Sequence, residues 1–159
     1  MKRRSVRRPT LGVDYGERRV GVAFSLGHVP RPVAVLPHGT ISSLVARVLE
    51  LARREGAEQI VVGWPLNADG GEGPQAQKSR AFAEALAAAT DLPVYLWDER
   101  YTSQEALEQM IEAGTRQKAR RQRLDAVAAA LILQDFFAQE GTGARRVWPP
   151  RRDTERNSR

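Results

Sequence analysis

Hydrophobic residues come first in short runs broken by turn residues, then alternate between helical stripes and continuous apolar segments. Residues 10–15 lie between Pro9 and Gly16, and 19–25 form a second apolar run after a tight break, so the pair predicts a β-hairpin. A third strand is predicted over 32–36, where β-branched residues stand between Pro-marked ends, giving an antiparallel meander. From Ile41 the period changes. Leu44, Val45, Val48, Leu51 and Ala52 recur at spacings of three and four, with Ser or Thr before them and Gly56 after, which predicts a helix with one buried face.

Residues 59–63 form an apolar run suited to a strand buried on both faces in a parallel arrangement. The loop over 64–74 holds Asn67, Asp69, Gly70, Gly71 and Gly73 and is long for a mere connection. An Ala-rich helix over 75–90 and a strand over 93–97 follow. Thr102 or Ser103 then caps a helix containing Leu107, Met110 and Ile111, which Gly114 ends. A basic loop over 116–123 leads into a last helix over 124–139. A meander followed by alternation predicts an α/β fold: a five-stranded mixed sheet, three antiparallel strands then parallel ones, flanked by helices. The expected organisation is a basic disordered tail over 1–9, one domain over 10–140 and a flexible Arg/Pro-rich tail over 141–159.

Composition narrows the chemistry. A chain of 159 residues has room for one domain of ordinary size. With no cysteine, disulfides, thiol nucleophiles and cysteine-based zinc sites are excluded, and two histidines in loop-like sequence, His28 and His38, offer little to a triad. No apolar run is long enough to span a membrane, and the Arg-rich start lacks the apolar stretch of a secretory signal, so a cytoplasmic protein is expected. Net charge is +6. Residues 2–8 carry +5 of it and 144–159 carry +4, leaving residues 9–143 at −3. A polyanion would therefore be drawn by the tails and by one internal cluster, Arg116, Lys118, Arg120, Arg121 and Arg123.

What remains for catalysis is carboxylates. Asp14 stands inside an apolar strand beside Gly16, an unfavourable place for an acid without hydrogen bonds or a cation. Asp98 and Glu99 close the strand over 93–97, at the end where loops build sites in open α/β sheets. Strand alternation sends the two to opposite faces, so one of them shares a site with Asp14. Asp125 lies in the first turn of the last predicted helix, where the helix dipole favours an anion. Ala128, Ala129 and Ile132 nevertheless follow it at helical spacing, which places it on or beside the core-facing side. Separated carboxylates without His or Cys suit hard divalent cations, and two such ions about 3.5 to 4 Å apart suit phosphoryl chemistry. Arg100 is expected to pair with a neighbouring carboxylate, while Trp64 and Tyr101 offer either stacking faces or packing.

Four motifs stand in order: Gly12-Val13-Asp14-Tyr15-Gly16 through Arg19-Val20-Gly21-Val22-Ala23 to Ser25; Ile60-Val61-Val62-Gly63-Trp64-Pro65-Leu66 with Gly70; Asp98-Glu99-Arg100-Tyr101-Thr102-Ser103 with Ala106; and Asp125 with Val127-Ala128-Ala129 and Leu131-Ile132-Leu133-Gln134. Over roughly residues 10–140 they resemble the YqgF/RuvX family, known for Holliday junction resolution and implicated in pre-16S ribosomal RNA processing. The resemblance implies a ribonuclease H-like fold and a bacterial cytoplasmic endonuclease using Mg²⁺ or Mn²⁺, with two ions expected. Asp14 matches the first-strand acid, the Asp98–Glu99 pair the strand-four acid, with Glu99 favoured as the direct ligand, and Asp125 the last-helix acid. Arg19 of the first motif joins the internal basic cluster as a nucleic-acid contact. Family members often carry an acid after the serine at position 25, where this chain has Leu26, so no acid acts there.

The expected substrate is either branched DNA or precursor rRNA at its 5′ end; the first would call for a homodimer, since a four-way junction is symmetric. Two other readings compete. An actin-like ATPase also starts with an Asp-x-Gly hairpin but clasps its nucleotide between two domains, for which this chain is short. A non-catalytic RNA-binding or assembly module would have no need to keep acids at all three places.

Overall fold

The computed structural model describes residues 6–99 and 117–149; for 117–125 it describes the backbone alone. Nine elements are placed: β1 (Thr10–Tyr15), β2 (Arg19–Ser25), β3 (Arg31–Pro37), α1 (Ile41–Glu55), β4 (Gln59–Trp64), α2 (Pro74–Ala89), β5 (Val94–Asp98), α3 (Gln117–Ala138) and β6 (Arg145–Val147). They build one mixed sheet in the order β3-β2-β1-β4-β5-β6. The meander is antiparallel, with Val13 opposite Val22 and Val22 opposite Ala34. β4 lies parallel to β1 and β5 parallel to β4, while β6 returns antiparallel along β5.

Local chemistry explains the boundaries. The Thr40 hydroxyl accepts the Ser43 N–H and caps α1, and Gly56 ends the helix in the left-handed region at φ 76°, donating back to Ala52 and Arg53. Period-two alternation then divides the sheet into two faces. Leu11, Val13, Val20, Val22, Ile60, Val62, Val94 and Leu96 pack with Leu44 and Val48 of α1 and Phe82 and Leu86 of α2. On the opposite face Ala23, Val61 and Trp97 pack with Ala129, Ile132, Leu133, Phe136 and Phe137 of α3. Among the described residues, two helices thus cover one face and one long helix the other.

Three expectations are corrected. The sheet has six strands, because Arg145–Val147 adds an edge strand within what the sequence reads as a loose tail. The last helix begins at Gln117, so residues 117–123 are helix and not a basic loop; Gln, Lys, Ala and Arg are all good helix formers. Part of the N-terminal tail is tied down. The Arg7 guanidinium donates to the Gly27 and Phe137 carbonyls at 3.2 and 3.4 Å, and Arg8 Nε donates to Gln59 Oε1 at 3.2 Å. The predicted helix after Thr102 and Ser103, together with Arg100, Tyr101 and Arg116, lies outside the described residues. Among the described residues no helix is long and apolar enough to cross a membrane.

Candidate active site

Alternation along β1 sends Leu11, Val13 and Tyr15 toward α1 and α2, and Gly12 and Asp14 toward α3. Val13 is level with Val62 of β4, which sets Asp14 beside Gly63, and Gly63 is level with Trp97 of β5. Trp97 faces α3, so Glu99, two residues on and just past the strand, faces the same way. A Cβ built on Gly63 would stand 2.6 Å from Glu99 Oε1 and 2.6 Å from Ile132 Cδ1, so the Glu99 carboxyl rests on bare backbone under α3. There it shares a hydrogen bond with the Asp14 carboxyl.

The pair is electrostatically loaded. Burial first, then the Asp14 charge and the hydrogen bond to it, and last the Asp98 charge push the Glu99 carboxyl up to about 8. Near neutral pH a proton sits on Glu99 and is donated to the Asp14 carboxylate. Asp98, one residue earlier in β5, is buried on the face of Leu96, across the sheet from Asp14. Of the two acids it is Glu99 that joins Asp14, and the Asp98 charge is felt at the pair.

α3 supplies the third position. Arg7, just before β1, reaches the Phe137 carbonyl, so the C-terminal end of α3 lies at the edge of the sheet remote from Asp14. The helix therefore runs back from the site. A Cβ on Gly12 would stand 3.0 Å from the Ala129 carbonyl oxygen and 2.6 Å from Leu133 Cγ, which fixes how closely helix and strand approach. Position 125 falls one turn before Ala129, on the stripe that continues through Ala129, Ile132 and Phe136, and toward the site edge. Because α3 starts at Gln117, Asp125 stands well inside the helix and not in its first turn, so the helix dipole does not account for it. Its side chain, like those of Lys118, Arg120, Arg121 and Arg123, lies outside the described residues.

Arg19 opens β2 on the same face as Gly21, the residue level with Asp14, and so borders the pair. Trp64 is engaged in packing rather than offered for stacking. Its Nε1 donates to Glu72 Oε2 at 2.9 Å, Arg80 Nε donates to the same oxygen at 2.7 Å, and the Arg145 guanidinium lies 5.4 Å from the indole centroid. The hydrogen bond from Arg80 leads the causes that hold the Glu72 carboxyl below its ordinary range. Glu72 thereby closes the long β4–α2 loop at the site edge. Sequence reasoning gave Glu72 no part, and an acid eight residues before Arg80 carries no recognisable spacing signal.

The donor set is carboxylate oxygens brought together on one sheet face and competing for a proton, a fit to a hard divalent cation that would take the proton's place. The sheet and the helices that cover it have the ribonuclease H-like fold. Thermus thermophilus RuvC in complex with Holliday junction substrate has the same fold, at TM-score 0.58 and 20% identity over 88% of this chain and 99% of that one. The family is narrower than the fold: residues 8–139 match RuvX, described as Holliday junction resolvase. A protein of Pelotomaculum thermopropionicum named "Putative pre-16S rRNA nuclease" is 44% identical over 134 residues, covering 82% of this chain and 87% of its own. One of the same name from Anaeromyxobacter sp. is 43% identical over 129 residues, covering 80% and 94%. The chain belongs to the RuvX family, and it is a nuclease.

Proposed function

We propose that this protein is a divalent-metal-dependent endonuclease that hydrolyses phosphodiester bonds in structured nucleic acid, with precursor ribosomal RNA as its substrate. The observation that carries the chemistry is the hydrogen-bonded Asp14–Glu99 pair, half-buried under α3 at the C-terminal ends of the strands. Asp14, Glu99 and Asp125 would hold Mg²⁺ or Mn²⁺. Such ions, when bound, activate a water and neutralise charge on the leaving oxygen.

The chain's own residues do the rest. Glu99 gives up its proton when a cation enters, and Asp14 shares the hydrogen bond that the proton makes. Gly12 and Gly63 keep helix and strands close, so the acids sit in a setting of low dielectric where charge interactions are strong. Arg19 orients the phosphate from the same sheet face. Arg116, Lys118, Arg120, Arg121 and Arg123 lie at and before the first turns of α3, which starts from the site edge, where they would guide the backbone of the substrate.

RNA is favoured by the names of relatives at up to 44% identity. The description of the matched family favours a second reading, cutting of a four-way DNA junction, for which a homodimer would supply two sites. The test compares cleavage of a precursor rRNA fragment with that of a mobile junction, in Mg²⁺ and in Mn²⁺, beside Asp14→Asn. Cleavage of the RNA that Asp14→Asn abolishes while binding persists is the expected result. Cleavage insensitive to Asp14→Asn would remove the acidic pair from the mechanism.

A further inference from the structure

We infer that the edge strand β6 carries a second nucleic-acid contact, in which Trp148 and Arg146 take an unpaired nucleotide of a single strand. The Arg146 guanidinium lies 4.2 Å from the Trp148 ring centroid and 5.8 Å from that of Tyr95. Its Nε is buried without a hydrogen-bond partner, and Arg146 makes no ion pair among the described residues. Two aromatic rings therefore hold in place a positive charge that no acid among the described residues pairs with. Trp148 itself is 66% exposed, although an indole is costly to leave in water.

Trp148 and Arg146 line one wall of an open cleft of about 710 Å³, whose other wall is the end of α2 and the turn after it, residues 87–92. That volume falls in the range of ligand clefts, roughly 300 to 1,000 Å³. An exposed indole next to a fixed guanidinium meets the two needs of a single strand, a face for a base and a charge for a phosphate. A duplex hides the faces of its bases, so Trp148 selects unpaired segments. The sequence that follows adds Arg151, Arg152, Arg156 and Arg159 against Asp153 and Glu155, so the local charge favours a polyanion. Asp91 on the opposite wall works against it. The family match ends at residue 139, so nothing in that match assigns this surface a role.

The inference rests on the reading that the protein acts on nucleic acid, but its test is binding and not cleavage. Fluorescein-labelled oligouridine is titrated against the full chain carrying Asp14→Asn, followed by anisotropy and by indole emission. Adding Trp148→Ala should weaken binding roughly 5- to 100-fold, while Trp148→Phe keeps most of the affinity. Quenching of indole emission by the oligonucleotide should fall sharply in Trp148→Phe, because Trp97 is buried and Trp64 is half-buried against Glu72 and Arg145. Arg146→Gln should lower the log-log salt slope by about 0.7, and Asp91→Asn should tighten binding. Unchanged affinity in Trp148→Ala, undiminished quenching in Trp148→Phe, or an equal loss for a blunt duplex would overturn the inference. Abolished RNA cleavage by Asp14→Asn is read in a separate assay, so either idea can fail alone.

Discussion

Removing divalent cations should make the stability of this protein fall as pH rises, and Glu99 should be the cause. In the unfolded chain Glu99 titrates near 4.5; in the folded protein it titrates at about 8. A carboxyl whose folded value is raised binds more protons folded than unfolded. Its contribution is therefore fully present below pH 4.5 and is lost progressively up to about 8. The slope is roughly 1.4 kcal/mol per pH unit, and the loss across the window is on the order of 5 kcal/mol. A domain of this size has only about 5 to 15 kcal/mol to lose. Chelated protein at pH 8 should then lie near its stability limit.

The assay is guanidinium unfolding in EDTA at a series of pH values from 5 to about 8.5, repeated in excess Mg²⁺. Glu99→Gln, which cannot ionise, should flatten the profile and exceed the parent protein at the alkaline end. Asp14→Asn removes the charge but leaves burial, the larger cause, so the decline should persist over a narrower window. Mg²⁺ should lift the parent most where the loss is greatest, because the cation replaces the proton. Parallel profiles for the parent and Glu99→Gln would refute the reasoning.

Gly12→Ala should destabilise the fold by about 1 to 3 kcal/mol in thermal melts, since the new Cβ would stand 2.6 Å from Leu133 Cγ and 3.0 Å from the Ala129 carbonyl oxygen. Gln59→Leu should cost about 1 to 3 kcal/mol and expose the N-terminal segment to proteolysis, because Gln59 Nε2 donates to the Val6 carbonyl and Thr10 Oγ1 while its Oε1 accepts from Arg8. Neutralising Arg120, Arg121 and Arg123 together should weaken nucleic-acid binding and flatten its salt dependence by roughly 0.7 to 0.9 in log-log slope per lost phosphate contact. An unaltered slope would count against this stretch as a substrate contact.

Strands β1 to β5 were legible because each is an apolar run bounded by Gly, Pro or polar turn residues, and the structure moves their ends by a residue or so. β6 was not. Arg145-Arg146-Val147 buries only Val147 and shows no alternation that distinguishes it from a tail. The start of α3 was hidden for a related reason, since a run of arginines has helix propensity but no apolar stripe, and pattern reading sees only the stripe. Asp14 stood out as an acid in an apolar strand. Alternation could separate Asp98 from Glu99 but could not choose between them, because the choice depends on which face α3 covers. Arg7 and Arg8 read as tail charges because their partners, the Gly27 and Phe137 carbonyls and Gln59, are distant in sequence.

Gly12 and Gly63 show how the missing choice was nonetheless written in the chain. Both stand inside apolar strands, where glycine costs stability unless something must come close. Gly12 shares parity with Asp14, and Gly63 lies level with Asp14 and Trp97, so all belong to one face. Over Gly12 comes the backbone of α3 at Ala129, and over Gly63 come Ile132 and the Glu99 carboxyl. Bare backbone lets the helix settle onto the strands, and only on that face is there room for a carboxyl beside Asp14. On the other face Val13, Val62 and Leu96 fill the same layer with side chains. The acid that joins Asp14 is therefore decided by where the sheet omits its side chains, and two glycines on one face select Glu99 over Asp98.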